Sequence, residues 1–124
     1  VVYGLDGLDE ISLEGPTLIG ELKNNEILEY EIHPKDFGLQ TAPTETFKVH
    51  NPEESIAILL AILDGKTGPE QDIVCLNAGA ALYAADLASD IQSGMKLARE
   101  AIISGKAKIK LQEFISTTQA LAKA

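Results

Sequence analysis

The chain has 124 residues and a mass of 13.2 kDa, which suffices for one domain around a single hydrophobic core. Its 10 Lys and Arg against 19 Asp and Glu give a net charge of −9, which argues against nucleic acid and anionic membranes as non-specific partners, because phosphate binding requires clustered cations. A single Cys excludes an internal disulfide, and no apolar run approaches the roughly 18 residues of a membrane-spanning helix. Since no secretory signal pattern is present either, we expect a cytoplasmic protein.

The charge is unevenly distributed along the chain. Residues 1–72 hold 4 basic and 15 acidic side chains, a net charge of −11, whereas residues 73–124 hold 6 basic and 4 acidic side chains, a net charge of +2. A cation site is therefore expected in the first part of the chain.

The first third of the chain is predicted to form strands. Residues 1–4 combine a β-branched pair with an aromatic side chain, and two further extended segments, 17–22 and 26–32, flank a turn at Asn24-Asn25. Because the first strand has no Met and no element before it, we expect residues 1–124 to be a piece of a larger domain.

The register of the hairpin at 17–32 depends on its turn. A two-residue turn would pair Leu22 with Ile27 and mix apolar and acidic side chains on both faces. A three-residue turn at 23–25 separates them better, and because a one-residue slip inverts a strand, we predict this register, with Asn25 at positive φ. The predicted apolar face then carries Leu18, Gly20, Leu22, Leu28, Tyr30 and Ile32.

The rest of the chain is predicted to be helical after a polar loop at 33–48. Four helices are expected near 52–64, 69–87, 90–104 and 107–122. Their predicted boundary residues are Asn51, Gly65, Pro69, Ser89 and Gly105.

The second predicted helix has an unusual composition. Its centre, residues 78–81, consists of small side chains that would let another backbone approach closely. Asn77 and Tyr83 lie in the same apolar helix and are expected to have hydrogen-bond partners. Cys75 is expected to be a buried structural thiol.

Several short motifs are better explained as ordinary loops. Asp36-Phe37-Gly38 spells a kinase magnesium motif, but the chain is too short for the other kinase elements. Gly65-Lys66-Thr67 resembles the end of a phosphate-binding loop, yet the upstream glycine that this motif requires is replaced by Leu60. His33 and His50 are interpreted as surface histidines.

Asp9 and Glu10 are the best candidates for chemistry. These adjacent carboxylates follow a glycine-rich turn at the end of the first strand, and Mg²⁺ prefers one or two carboxylates together with water and substrate phosphates. On a regular strand they would point to opposite faces, so a shared site requires irregular backbone or a bridging water. Asp6 is a weaker third candidate, and two solvated loop acids are the alternative interpretation.

An ordered set of segments closely resembles the C-terminal part of anthranilate phosphoribosyltransferases. The resemblance runs over the whole chain but covers only about the last third of the family's chain. The segments are Gly4-Leu5-Asp6-Gly7-Leu8-Asp9-Glu10-Ile11-Ser12, Gly15-Pro16-Thr17, Glu21-Leu22-Lys23, Asp36-Phe37-Gly38-Leu39, Asn51-Pro52-Glu53-Glu54 and Leu76-Asn77-Ala78.

The resemblance implies a fold, a reaction and a metal. The fold would be α/β, with this chain as the C-terminal portion of a mostly parallel sheet domain that contains the hairpin at 17–32 and four helices. The reaction transfers phosphoribosyl from phosphoribosyl pyrophosphate to anthranilate in tryptophan biosynthesis, in an enzyme that is usually a homodimer. By position, Asp9 and Glu10 would bind the Mg²⁺ that engages the diphosphate. Tyr3 stands where the family usually has His.

The resemblance also implies that much of the active site lies outside this chain. The family's glycine-rich diphosphate loop, Lys-His-Gly-Asn segment and anthranilate-contacting arginine precede the segments matched here, so the isolated chain is expected to be inactive. Two alternatives remain: a domain like that of the pyrimidine nucleoside phosphorylases, which share the architecture, and a non-catalytic helical interaction module.

Overall fold

The computed structural model describes residues 1–123 as a three-stranded sheet followed by four helices. The strands are β1 (Val2–Gly4), β2 (Thr17–Lys23) and β3 (Glu26–Ile32), and the helices are α1 (Pro52–Leu63), α2 (Pro69–Ala84), α3 (Ile91–Ile103) and α4 (Lys106–Leu121). The sheet order is β1-β2-β3 with antiparallel pairing throughout residues 1–123, so the parallel strands of the expected larger sheet are not among these three. The α/β class, the hairpin and the four helices are confirmed.

The predicted register of the hairpin is wrong. Leu22 pairs with Ile27 and Lys23 pairs with Glu26, which leaves a two-residue turn. Asn24 and Asn25 have φ values of 53° and 62°, the left-handed conformation that a type I′ turn requires at both positions. The backbone twist of a type I′ turn matches the twist of the two strands. This match favours the two-residue turn, even though a three-residue turn would separate polar and apolar side chains more cleanly. The positive φ of Asn25 is confirmed.

The corrected register changes which side chains face the helices. Thr17, Ile19 and Ile32 are buried on the inner face of the sheet, and Tyr30 is half-buried beside them. Leu22 and Ile27, which form a cross-strand pair on the outer face, are 74% and 75% exposed.

The helix boundaries follow the predictions closely, with one different cap. Asn51 caps α1 by accepting a hydrogen bond from the Glu54 backbone N–H at 2.8 Å. Asp90, and not Ser89, caps α3, because its Oδ1 accepts from the Ser93 N–H at 2.7 Å. The second helix ends at Ala84, three residues before its predicted end.

Helices α2 and α3 touch through their backbones. A Cβ atom added at Gly79 would lie 2.5 Å from the Met95 nitrogen, and one added at Gly94 would lie 2.3 Å from the Gly79 oxygen. Only glycine permits this approach, so the expected role of the small residues is confirmed. Cys75, one turn before Gly79, is fully buried, and burial raises the pKa of its thiol.

The polar loop at 33–48 contains two short 3-10 helices that the sequence did not predict, at Pro34–Phe37 and Thr44–Phe47. His33 caps the first one by accepting from the Lys35 N–H at 3.2 Å, and Asp36 accepts from the His33 N–H at 2.7 Å. The Asp36-Phe37-Gly38 motif is therefore a capped turn. Among residues 1–123, no helix combines the length and the apolar character needed to cross a bilayer.

Candidate metal centre in the acidic loop

Residues 5–16, here called the acidic loop, connect β1 to β2. The Leu5 N–H donates to the Pro16 carbonyl at 3.0 Å, which holds the two ends of the loop together. The N–H of Gly4, the last residue of β1, donates to the Leu8 carbonyl of the loop at 2.8 Å. A Cβ atom at Gly4 would lie 2.5 Å from Asp6 Oδ1 and 3.1 Å from the Leu8 oxygen, so a larger residue here would displace the Asp6 side chain.

Asp6 supports the loop from within. Its Oδ1 accepts from the Leu8 N–H at 3.1 Å, and its Oδ2 accepts from Ser12 Oγ at 2.6 Å and from Thr44 Oγ1 at 2.7 Å. These hydrogen bonds, that from Ser12 foremost, lower the pKa of Asp6. The weaker third candidate ligand thus already has three partners, and this geometry favours a structural role for it.

The segment of the acidic loop that directly follows Glu10, residues 11–13, is buried. Ile11, Ser12 and Leu13 are at most 1% exposed. The Ser12 N–H donates to Thr17 Oγ1 at 3.0 Å, so a polar side chain satisfies a buried backbone group there. Residues 11–13 are therefore fixed in place by packing and by hydrogen bonds together.

Asn77 on α2 reaches across to the same segment. Its Oδ1 accepts from the Ile11 N–H at 2.9 Å, and its Nδ2 donates to the Ile11 carbonyl at 2.9 Å and to the Ile73 carbonyl at 3.0 Å. The expectation that Asn77 has hydrogen-bond partners is confirmed. What the sequence did not reveal is that the partner is the residue directly after Glu10.

Asp9 and Glu10 lie on the exposed part of the loop. The strand ends at Gly4 and the backbone bends at both acids, so the regular alternation that would separate their side chains does not apply. Exposed, hard carboxylate oxygens fit a Mg²⁺ ion that keeps water and phosphate ligands. Among residues 1–123, no group of three or more His, Cys, Asp or Glu side chains is placed to hold a metal ion.

A second loop supports the acidic loop from outside. The Thr44 N–H donates to Glu14 Oε2 at 2.7 Å, a contact that lowers the pKa of Glu14, and the Ala42 N–H donates to the Leu13 carbonyl at 3.0 Å. Residues 42–44 therefore stabilise the loop at Leu13 and Glu14.

A separate polar cluster lies between the hairpin and α2. Glu21 accepts from the Tyr83 hydroxyl at 2.6 Å and from the Tyr30 hydroxyl at 2.9 Å, and Lys23 Nζ donates to the Tyr83 oxygen at 2.7 Å. These side chains line a cleft of about 340 Å³. Burial raises the pKa of Tyr30 to about 12, so its hydroxyl stays neutral and donates to Glu21. The expected partner of Tyr83 is thus Glu21, and the cluster ties the sheet to the helix.

Comparison with known proteins supports one family. The family model described as "Glycosyl transferase family, a/b domain" matches residues 1–108. The anthranilate phosphoribosyltransferase of Polynucleobacter necessarius subsp. necessarius is 66% identical over 96% of this chain, and that of Acidovorax sp. (strain JS42) is 57% identical over 98%. The resemblance inferred from the sequence is confirmed.

Solved structures give the same result. The anthranilate phosphoribosyltransferase of Thermus thermophilus superposes with a TM-score of 0.84 at 37% identity over 94% of this chain. The Saccharomyces cerevisiae enzyme in complex with PRPP and Mg superposes with a TM-score of 0.85 at 26% identity over 96%.

The chain spans only about a third of these proteins: 35% of the Polynucleobacter relative and 34% of the Thermus chain. Within that third, the family model and the structural likeness cover most of the described fold. The chain therefore belongs to the glycosyl transferase family, in its α/β domain.

Proposed function

We propose that this chain is the metal-binding part of an enzyme that transfers phosphoribosyl from phosphoribosyl pyrophosphate to anthranilate, releasing pyrophosphate, in tryptophan biosynthesis. The observation that carries the proposal is the acidic loop, in which two exposed carboxylates follow each other on a segment held by Asp6 and Asn77. The names of the relatives support this reaction. The Saccharomyces cerevisiae enzyme was solved in one structure with PRPP and Mg and in another with 4-fluoroanthranilate.

The chemistry of the transfer explains why a cation site is needed. Breaking the bond between the sugar carbon and the diphosphate leaves negative charge on the leaving group and builds positive charge on the ribose. A bound Mg²⁺ ion neutralises charge on the diphosphate. In this chain, Asp9 and Glu10 would hold the ion, and their exposure leaves room for the diphosphate to approach. The supported loop would keep both carboxylates in place during the reaction.

The proposal extends to the whole protein. Residues 1–124 would be the C-terminal part of the α/β phosphoribosyltransferase domain, in a cytoplasmic homodimer, as the resemblance implies. Because the chain spans about a third of its relatives, the isolated chain is predicted to lack transferase activity. The nucleoside phosphorylase and interaction-module alternatives receive less support, since the relatives named above are all anthranilate phosphoribosyltransferases.

The decisive experiment uses a full-length chimera in which this chain replaces the matching third of the Polynucleobacter relative. Asp9→Asn and Glu10→Gln keep side-chain shape and remove charge. At limiting Mg²⁺ each should lower kcat/KM by about 10–100-fold, the range typical when groups that support a metal site are lost. Part of this loss should be recovered at high Mg²⁺, because weakened affinity is the defect.

The matched control is Glu29→Gln, which removes an exposed acid from β3. It should leave the Mg²⁺ dependence of the chimera unchanged. If Asp9→Asn and Glu10→Gln also retain the parent chimera's rates at limiting Mg²⁺, the two acids are ordinary loop residues and the proposal is wrong.

A further inference from the structure

We propose that Asn77 is a positioning residue that sets the geometry of the Asp9–Glu10 metal site from helix α2. This inference rests on the proposed function, because it assigns Asn77 a role in metal affinity and not in folding alone. The supporting contact joins residues 66 positions apart, and it ends on the residue that directly follows Glu10.

The two hydrogen bonds fix the backbone on both sides of Ile11. The Ile11 N–H belongs to the peptide unit that begins at the Cα of Glu10, and the Ile11 carbonyl belongs to the next unit. One planar side-chain amide contacts both groups at 2.9 Å. The direction in which the chain leaves Glu10 is therefore set by the orientation of the Asn77 side chain.

The Asn77 side chain is itself held firmly. Its Nδ2 also donates to the Ile73 carbonyl at 3.0 Å, one turn earlier in the same helix. Two residues later, Gly79 contacts the backbone of α3 so closely that no Cβ atom would fit. The amide thus connects a packed helix to the buried segment that directly follows the exposed Glu10.

Only an amide of this length provides the required contacts. An Asp at this position could accept from the Ile11 N–H but could not donate to the two carbonyls, and a Leu could do neither. Both contacts are partly buried, so water is a poor substitute for the lost partner. Without the amide, Glu10 should sample positions displaced from Asp9 while both carboxylates remain chemically intact.

The test compares Asn77→Leu with Tyr83→Phe in the full-length chimera. Tyr83→Phe is the matched control, because it also removes a side-chain hydrogen bond between α2 and the sheet region, but its partner is Glu21, away from the acidic loop. Asn77→Leu should raise the Mg²⁺ concentration for half-maximal rate by about tenfold or more, as is typical for lost support of a metal ligand. Tyr83→Phe should leave that concentration unchanged.

A second variant, Asn77→Asp, keeps the test valid if Asn77→Leu misfolds. Asn77→Asp keeps the side-chain shape and adds a negative charge near the site, which would attract Mg²⁺. If Asn77→Asp nevertheless requires more Mg²⁺, the cause is the loss of the Nδ2 hydrogen bonds to the Ile11 and Ile73 carbonyls, because the added charge acts in the opposite direction. Independently of activity and metal, hydrogen exchange of the Ile11 amide in the full-length chimera should accelerate in Asn77→Leu, which removes the acceptor of that amide, and not in Tyr83→Phe.

The outcomes separate this inference from the proposed function. If both Asn77 variants have the Mg²⁺ requirement of Tyr83→Phe while Asp9→Asn and Glu10→Gln still raise it, Asn77 is merely structural and only this inference is wrong. If Asp9→Asn and Glu10→Gln also leave the requirement unchanged, the proposed metal site itself is wrong, and this inference with it.

Discussion

The contact between α2 and α3 and the acidic loop are both held in place, but by different kinds of interaction. At Gly79 and Gly94 the two backbones touch directly, so the contact depends on the absence of side-chain atoms. In the acidic loop, Asp6 and Asn77 hold the backbone through directional hydrogen bonds, while Asp9 and Glu10 stay exposed. A steric contact cannot adapt to an added atom, whereas hydrogen bonds can be lost one at a time. We therefore expect changes at the helix contact to affect folding and changes in the loop to affect binding.

The largest effect is expected at the glycine contact. Gly79→Ala would place a methyl group 2.5 Å from the Met95 nitrogen, and because backbone cannot move aside as a flexible side chain can, the free energy of unfolding should fall by about 3 kcal/mol or more. Urea denaturation of the full-length chimera measures this loss. Gly15→Ala is the control, since nothing lies within 4 Å of an added Cβ there. Equal stabilities for the two variants would contradict the steric account.

An intermediate effect is expected at Asp6. Asp6→Ala removes the acceptor for Leu8, Ser12 and Thr44, and the free energy of unfolding at pH 7 should fall by about 1 kcal/mol, because water competes for an exposed carboxylate.

The pH dependence of the Asp6 effect has a definite sign. The pKa of Asp6 is lower in the folded chain than its ordinary value of 3.8, so its contribution is fully present above the ordinary value. The contribution should be lost as the pH falls through the lowered folded-state pKa. Denaturation at several pH values should therefore show the difference between wild type and Asp6→Ala shrinking in acid. A difference that grew in acid would be inconsistent with an ionised Asp6 that supports the loop.

The smallest effect on stability is expected at the proposed metal ligands. Asp9→Asn and Glu10→Gln should change the free energy of unfolding by less than about 0.5 kcal/mol, as is usual for exposed side chains. The same urea titrations test this expectation. A loss above about 1 kcal/mol would mean that these acids hold the loop, and the contrast between structural and exposed acids would fail.

The sequence predicted the individual elements well but not the register of the hairpin. Asn51, Pro69 and Gly105 lie at the helix boundaries as expected, because capping involves groups only a few residues apart. The predicted register was wrong because two criteria disagreed: separating polar from apolar side chains favoured one register, and the geometry of the turn favoured another. The left-handed conformation of both Asn24 and Asn25 decided between them.

The candidate site was predictable in part. Asp9 and Glu10 stood out because they are adjacent carboxylates after a glycine-rich turn at the end of a strand, whereas nothing local distinguished Asp6 as a structural residue. Asn77 carried a weak signal, a polar side chain within an apolar helix that required a partner. Identifying that partner needed the fold.

By itself, the sequence determined the order of the strands and the four α-helices, most of their boundaries and which acids are adjacent, since these properties depend mainly on neighbours along the chain. The tertiary structure decided where those acids lie relative to the rest of the fold. It brought Asn77 to Ile11 across 66 residues and Thr44 to Asp6 across 38, leaving Asp9 and Glu10 exposed between fixed points. Such contacts depend on how α2 packs beside the sheet, and packing is a property of surfaces that form only when distant segments meet.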